Sequence, residues 1–315
     1  MKLQTQVPLT TANNQIDYTS KVLLMGSCFV ENIGEKLNFY KLQTLVNPFG
    51  ILFHPKALEN NIERIVTQKE FTENDIFFLN ERWHSFEVHS ALSNPNKEAF
   101  LNNLNSALEA TLKSIQSATH IVFTLGTAWG YKHLETQKLV ANCHKVPQTK
   151  FSKQLLSVSE TETSLANITA LIEQLNPKAE IIFTVSPVRH LKDGFTENQH
   201  SKAHLISAVQ STITKSSKFN YFPAYEIMMD ELRDYRFYAE DMIHPNKTAI
   251  SYIWEKFQQI WISSKAETTM KDVEKIQNGL QHRPFNTESD EFKKFQEKLQ
   301  QKIMYLSEKH PHITF

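Results

Sequence analysis

Apolar residues in this chain fall into two patterns. Short blocks are apolar almost throughout: Val22-Leu23-Leu24-Met25, His120 to Leu125 (HIVFTL) and Glu180 to Val185 (EIIFTV), with shorter candidates at Lys41 to Val46 and Asn220-Tyr221-Phe222. Blocks of this length, ended by Gly26, Gly126, Ser186-Pro187 or Pro223, predict buried strands. Longer stretches repeat apolar residues every three or four positions and predict helices over 29–38, 56–67, 96–117, 160–175, 196–215 and 246–262. Ser159 and Glu162 have capping-box spacing at the start of the fourth. The stretch 70–92 alternates around Trp83, Phe86 and Val88 and reads as a hairpin. Strands separated by amphipathic helices predict parallel βαβ units. The expected fold is α/β, a three-layer α/β/α domain with about five parallel strands over residues 1–262 and an insert around 55–118. Residues 263–315 are polar and helix-prone, with Phe292, Phe295, Leu299, Ile303 and Leu306 on one face. They predict a C-terminal helical extension packed on the main domain, or else a partner-binding helix.

Composition narrows the class. The chain has 315 residues, 40% of them hydrophobic, with 21 Phe, enough for a sizeable core. Lys plus Arg total 34 and so do Asp plus Glu, which argues against nucleic acid as a partner. The first 18 residues lack an apolar signal-peptide core, and no run approaches the ~18–20 apolar residues of a membrane span. Cys28 and Cys143 cannot build a disulfide framework. A reduced, cytoplasmic protein is the expectation. Glycine is scarce: seven, where average usage would give about 22. Gly26, Gly50 and Gly126 each follow a predicted strand, and Gly279 reads as a helix C-cap.

Sites in open α/β sheets form at the carboxyl ends of strands. Ser27, Gly50, Gly126-Thr127 and Ser186 fall there. Late in the chain, Asp241 and His244 stand three apart ahead of a helix. That spacing lets a carboxylate hold one imidazole nitrogen while the other serves a nucleophile, as covalent acyl chemistry requires.

The combination of Met25-Gly-Ser-Cys-Phe-Val30 with Asp-x-x-His resembles the GSCFA family of the SGNH/GDSL hydrolase superfamily. Further stretches carry the resemblance: Asn47-Pro-Phe-Gly-Ile51, Thr124-Leu-Gly-Thr-Ala-Trp129, Val140-Ala-Asn-Cys-His-Lys-Val-Pro147, Ser186-Pro-Val-Arg-His190 and Tyr235 to His244. It covers about residues 20–260. It implies a flavodoxin-like sheet and ester hydrolysis or acyl transfer, with Ser27 as nucleophile, His244 as base and Asp241 as its orienting acid. It also implies oxyanion donors in the amides of Ser27 and Gly50. The superfamily's third donor is an Asn two residues after a Gly. This chain has Gly126-Thr127-Ala128 instead, so the expectation passes to the Thr127 hydroxyl or to Asn142.

Other residues have two readings each. Ser27 suits a helix N-cap as well as a nucleophile. Cys28 is its competitor as the better nucleophile in kind. Trp83, His84, Asn142, His144, Arg189 and His190 are candidate substrate-binding residues, against aromatic packing for the first group and a strand-end salt bridge for Arg189. His200 and His204, four apart on a helix, lack a third metal ligand at diagnostic spacing. The expected function is a serine esterase or O-acyltransferase acting on a small-molecule or carbohydrate ester without metal or organic cofactor. The alternative is a catalytically weak module that binds an acylated or glycan ligand.

Overall fold

The structure, a computed structural model, describes residues 4–287 and 289–315. Five strands form its central sheet: β1 (Lys21–Gly26), β2 (Gln43–Val46), β5 (His120–Leu125), β9 (Glu180–Val185) and β10 (Phe219–Phe222). All pair in parallel, in the spatial order β2-β1-β5-β9-β10. That order starts at β1, steps out to β2, then reverses and continues on the other side through β5. A parallel sheet is covered on both faces, and the strands show it by alternation. Leu23, Met25, Ile121, Phe123, Leu125, Ile181, Phe183 and Val185 enter one apolar cluster. Their neighbours Val22, Leu24, Val122 and Ile182 enter a second cluster on the opposite face.

The first face is covered by α2 (Pro55–Val66), α3 (Lys97–Ser117), α4 (Val158–Leu175) and α5 (Phe195–Ile213). The second is covered by α1 (Cys28–Phe39) and α6 (Lys247–Trp261), then extended by α7 (Ser264–Gln281) and α8 (Asp290–Lys309). Ala266, Met270, Val273, Ile276 and Leu306 are buried in that second cluster, so the C-terminal helices pack on the sheet domain. Gly279 lies inside α7 and is not a cap: a Cβ there would stand 2.8 Å from Leu299 Cδ1. It is small because α8 crosses at that point.

Other expectations shift by a few residues. The α4 capping box is Ser157 with Glu160 rather than Ser159 with Glu162, and the helix starts accordingly at Val158. The 70–92 stretch holds a hairpin of β3 (Phe77–Leu79) and β4 (Arg82–His84). Asn80 and Glu81 both take positive φ, at 47° and 60°, as a two-residue hairpin turn of matching twist demands. Arg64 on α2 anchors this insert through Glu87 and Asp75, at 2.6 and 2.8 Å. A three-stranded antiparallel sheet of β6 (Trp129–His133), β7 (Leu139–Val140) and β8 (Phe151–Leu155) was not foreseen. Among the described residues no helix is long and apolar enough to cross a membrane.

Candidate active site

The chain leaves β1 through Gly26 at φ +142°, a conformation costly to any residue with a Cβ. A Cβ there would also lie 2.3 Å from the Thr124 carbonyl oxygen on β5, so backbone packing and backbone angle both demand glycine. Asn47, at the end of β2, completes the turn. Its Oδ1 accepts from Gly26 N at 2.9 Å and its Nδ2 donates to Glu31 Oε1 at 3.1 Å.

This geometry separates Ser27 from Cys28. Ser27 is the N-cap of α1 and only 1% exposed. Its hydroxyl accepts from Phe29 N at 3.4 Å, and its amide donates to Thr124 O at 2.9 Å as a rung of the sheet. No hydrogen bond joins it to His244 among the described residues. Cys28, the first residue of α1, is only partly buried. Its thiol lies beside the amides of Cys28 and Phe29 and within the field of Lys202. Burial and the Glu31 carboxylate hold that thiol above its ordinary pKa, against the opposing pull of its own amide and Lys202.

Lys202 is the charge that sequence reasoning missed. It lies on α5, 1% exposed, and donates from Nζ to Gly126 O and Ser186 O, both at 2.7 Å. It thus ties together the carboxyl ends of β5 and β9. Burial, then the neighbouring Arg189, depress its pKa to about 7. The signal was present: Asn198, Ser201, Lys202, Leu205, Val209 and Thr212 share the buried helix face. A lysine in phase with that face cannot be a solvated surface charge.

Asp241 and His244 meet as expected. Asp241 Oδ2 lies 2.6 Å from His244 Nδ1, while Oδ1 accepts from the amides of Ile243 and His244 at 2.9 and 3.0 Å. The His244 amide, then the His244 ring and the Ile243 amide, draw the carboxyl down to about 2. It is therefore a fixed anion at neutral pH, and it engages only Nδ1 of the half-exposed His244 ring. Met242, between them, sits at φ +57°, strained backbone held at the turn. Arg189 N donates to Ile243 O at 3.1 Å and fastens this loop to the segment after β9.

His190 lies between the two halves. Burial first, then Lys202 and His244, push its ring down to about 3, so it is neutral. Its Nε2 is buried with no partner among the described residues and would stand 3.3 Å from a Cβ on Gly126.

The three expected oxyanion donors are all occupied within the protein. Besides the Ser27 amide, Gly50 N donates to Asn47 O at 2.7 Å, and the Thr127 hydroxyl pairs with Ser201 Oγ at 2.8 Å. Trp83, His84 and His144 gather elsewhere. Trp83 packs on Phe78, His84 bonds Ser93 Oγ at 2.7 Å, and His144 bonds Ser85 O at 2.7 Å with its ring 4.8 Å from His84. Asn142 accepts from His144 N at 2.8 Å, turning the loop of that aromatic cluster. Among the described residues none of the four bonds to the Asp241–His244 pair. Of the six candidate substrate-binding residues, Arg189 and His190 reach the edge where that pair sits.

A profile described as "GSCFA family" matches residues 21–257. The chain belongs to the GSCFA family. A second profile, "GSCFA domain protein, C-terminal domain", matches residues 273–315 of this GSCFA protein. No curated protein matches it. The family match takes in Gly26, Cys28, Lys202, Asp241 and His244 together; α7 and α8 carry the second match.

Proposed function

We propose that this GSCFA protein hydrolyses or transfers acyl groups from esters, including O-acylated carbohydrates, in the manner of the SGNH hydrolases it resembles. The observation that carries the reading is the Asp241–His244 pair, a carboxylate-held imidazole at the carboxyl edge of a parallel sheet. We take Cys28 as the nucleophile in preference to Ser27, the residue the motif implies. The Cys28 side chain is partly open at the start of α1, whereas Ser27 Oγ is enclosed as a cap; burial holds the thiol protonated, so His244 must take its proton as sulfur attacks. The thiol proton passes to His244 as sulfur bonds the ester carbonyl carbon. The C–O bond to the alcohol then breaks, and His244 returns the proton to the departing oxygen. Water or an acceptor hydroxyl attacks the thioester, gives its proton to His244, and the thiol is restored.

Short p-nitrophenyl esters test the reading. His244→Ala and Cys28→Ala should each lower kcat by about 10³-fold or more, as loss of one member of a catalytic triad does. Wild-type turnover equal to that of folded His244→Ala would overturn the acyl chemistry. Loss of turnover in Ser27→Ala but not in Cys28→Ala would return the nucleophile to Ser27. The occupied Ser27, Gly50 and Thr127 donors favour a second reading, a ligand-binding site without efficient turnover. Saturable ester binding with no p-nitrophenol released would support it.

A further inference from the structure

A pocket of about 370 Å³ opens beside the loop that carries Asp241 and His244. Its wall is apolar and soft: Phe195, Met228, Met229, Tyr238 and Met242 line it, with Arg189 among them. Two of these are conspicuously uncovered, Phe195 at 70% and Met242 at 49% exposure. Met242 is held there by its left-handed backbone, between the acid and the base. Leaving such side chains in water gives up burial energy, so a ligand that covers them has an energetic reason to bind.

Arg189 supplies the polarity. Among the described residues it pairs with no carboxylate. Its Nη1 faces Met229 Sδ at 3.5 Å, its guanidinium lies beside the Tyr238 hydroxyl, and among the described residues its buried Nε–H finds no acceptor. The other charges on the pocket wall are committed: Arg233 to Asp230 at 2.7 Å, Asp234 to Arg236 at 3.0 Å. A partly buried guanidinium with a free donor is a place for an anion. One planar fork matches one carboxylate; a phosphate dianion would want a second cation, and Arg233 is already taken.

We infer that the pocket receives an apolar aryl or alkyl group ending in a carboxylate, gripped by Arg189. The inference rests on the acyl-transfer reading for its orientation, since Arg189 N holds the Ile243 carbonyl and thereby sets the pocket against His244. The substrate class is then a half-ester or acyl ester of a carboxylate-bearing apolar acid.

Calorimetric titration of the purified full-length chain tests the pocket without turnover. 4-Phenylbutyrate should bind at least about tenfold more tightly than its uncharged amide, 4-phenylbutyramide, and Arg189→Gln should bring that ratio close to one. Equal affinities in the wild type, or no binding of the acid at about 10 mM, would overturn the inference; the wild-type ratio decides it even where the variant fails to fold. Turnover separates the two readings. If the acid binds selectively but neither p-nitrophenyl hydrogen glutarate nor p-nitrophenyl pentanoate is cleaved, the pocket stands and the acyl chemistry fails. If both are cleaved with equal kcat/KM, the acyl chemistry stands and the pocket assignment fails.

Discussion

Lys202 shows how one side chain organises this site. It carries a charge into a layer of the protein where charges are expensive, and two carbonyl oxygens are its direct partners. Its depressed pKa, about 7 against 10.5, has a signed consequence. Between those values the unfolded chain holds a proton that the folded chain has shed, so the folded state gains stability from this group as pH rises. Lys202→Met removes the term. The stability difference between wild type and variant, from urea unfolding at about pH 6.5 and about pH 9.5, should move in favour of the wild type at the higher pH. An unchanged difference would mean the lysine is not desolvated. At this scale the sequence was partly legible. Asp241 and His244 were readable because both ends of their contact lie within one short loop. Ser27 was read as the reacting side chain, yet it is the enclosed one, because which of two adjacent side chains a strand-to-helix turn encloses depends on Thr124 and Phe29, contacts that spacing does not encode.

At the scale of elements, the strands of the main sheet were readable because both faces are buried, leaving nearly continuous apolar runs. The β6–β8 sheet was not. Trp129 to His133 is only half-buried by turns, includes Gly130, and finds its pairing partner at Phe151–Leu155, across an intervening turn and strand. Helix α4 shows a finer ambiguity. Ser157 and Ser159 each have a glutamate three residues on, yet only Ser157 makes both reciprocal bonds, its Oγ accepting from Glu160 N and its own amide donating to Glu160 Oε2. Ser157→Ala should therefore cost about 1 kcal/mol and Ser159→Ala a few tenths at most, measured by chemical unfolding. Equal losses would place the cap elsewhere.

At the scale of the molecule, the C-terminal helices belong to the fold. Residues of α7 and α8 share one apolar cluster with β1 and α1. Removing residues 264–315 would uncover Trp254, Phe257 and Trp261 on α6, which those helices help enclose. The shortened chain should bind a hydrophobic dye and aggregate, followed by fluorescence and size-exclusion chromatography. A truncated chain that stays monomeric and binds no dye would show the helices to be dispensable. The apolar face of residues 292–306 gave the helix in advance, but not what it would pack on, because amphipathicity names a buried side and not its partner.

That shared cluster also fixes an order of events during synthesis. Val22 and Leu24 are made long before Leu306 and Ile313, which share their cluster. The early segment Ala12–Ile16 is stitched to the end of α6 by Ala12 N to Ile260 O and Ile16 N to Trp261 O. One side of the sheet can close while the chain is still growing, since α2 to α5 are complete by residue 213. The other side, with α1 on it, cannot close until α8 has left the ribosome, so the nascent chain carries half its sheet uncovered until then.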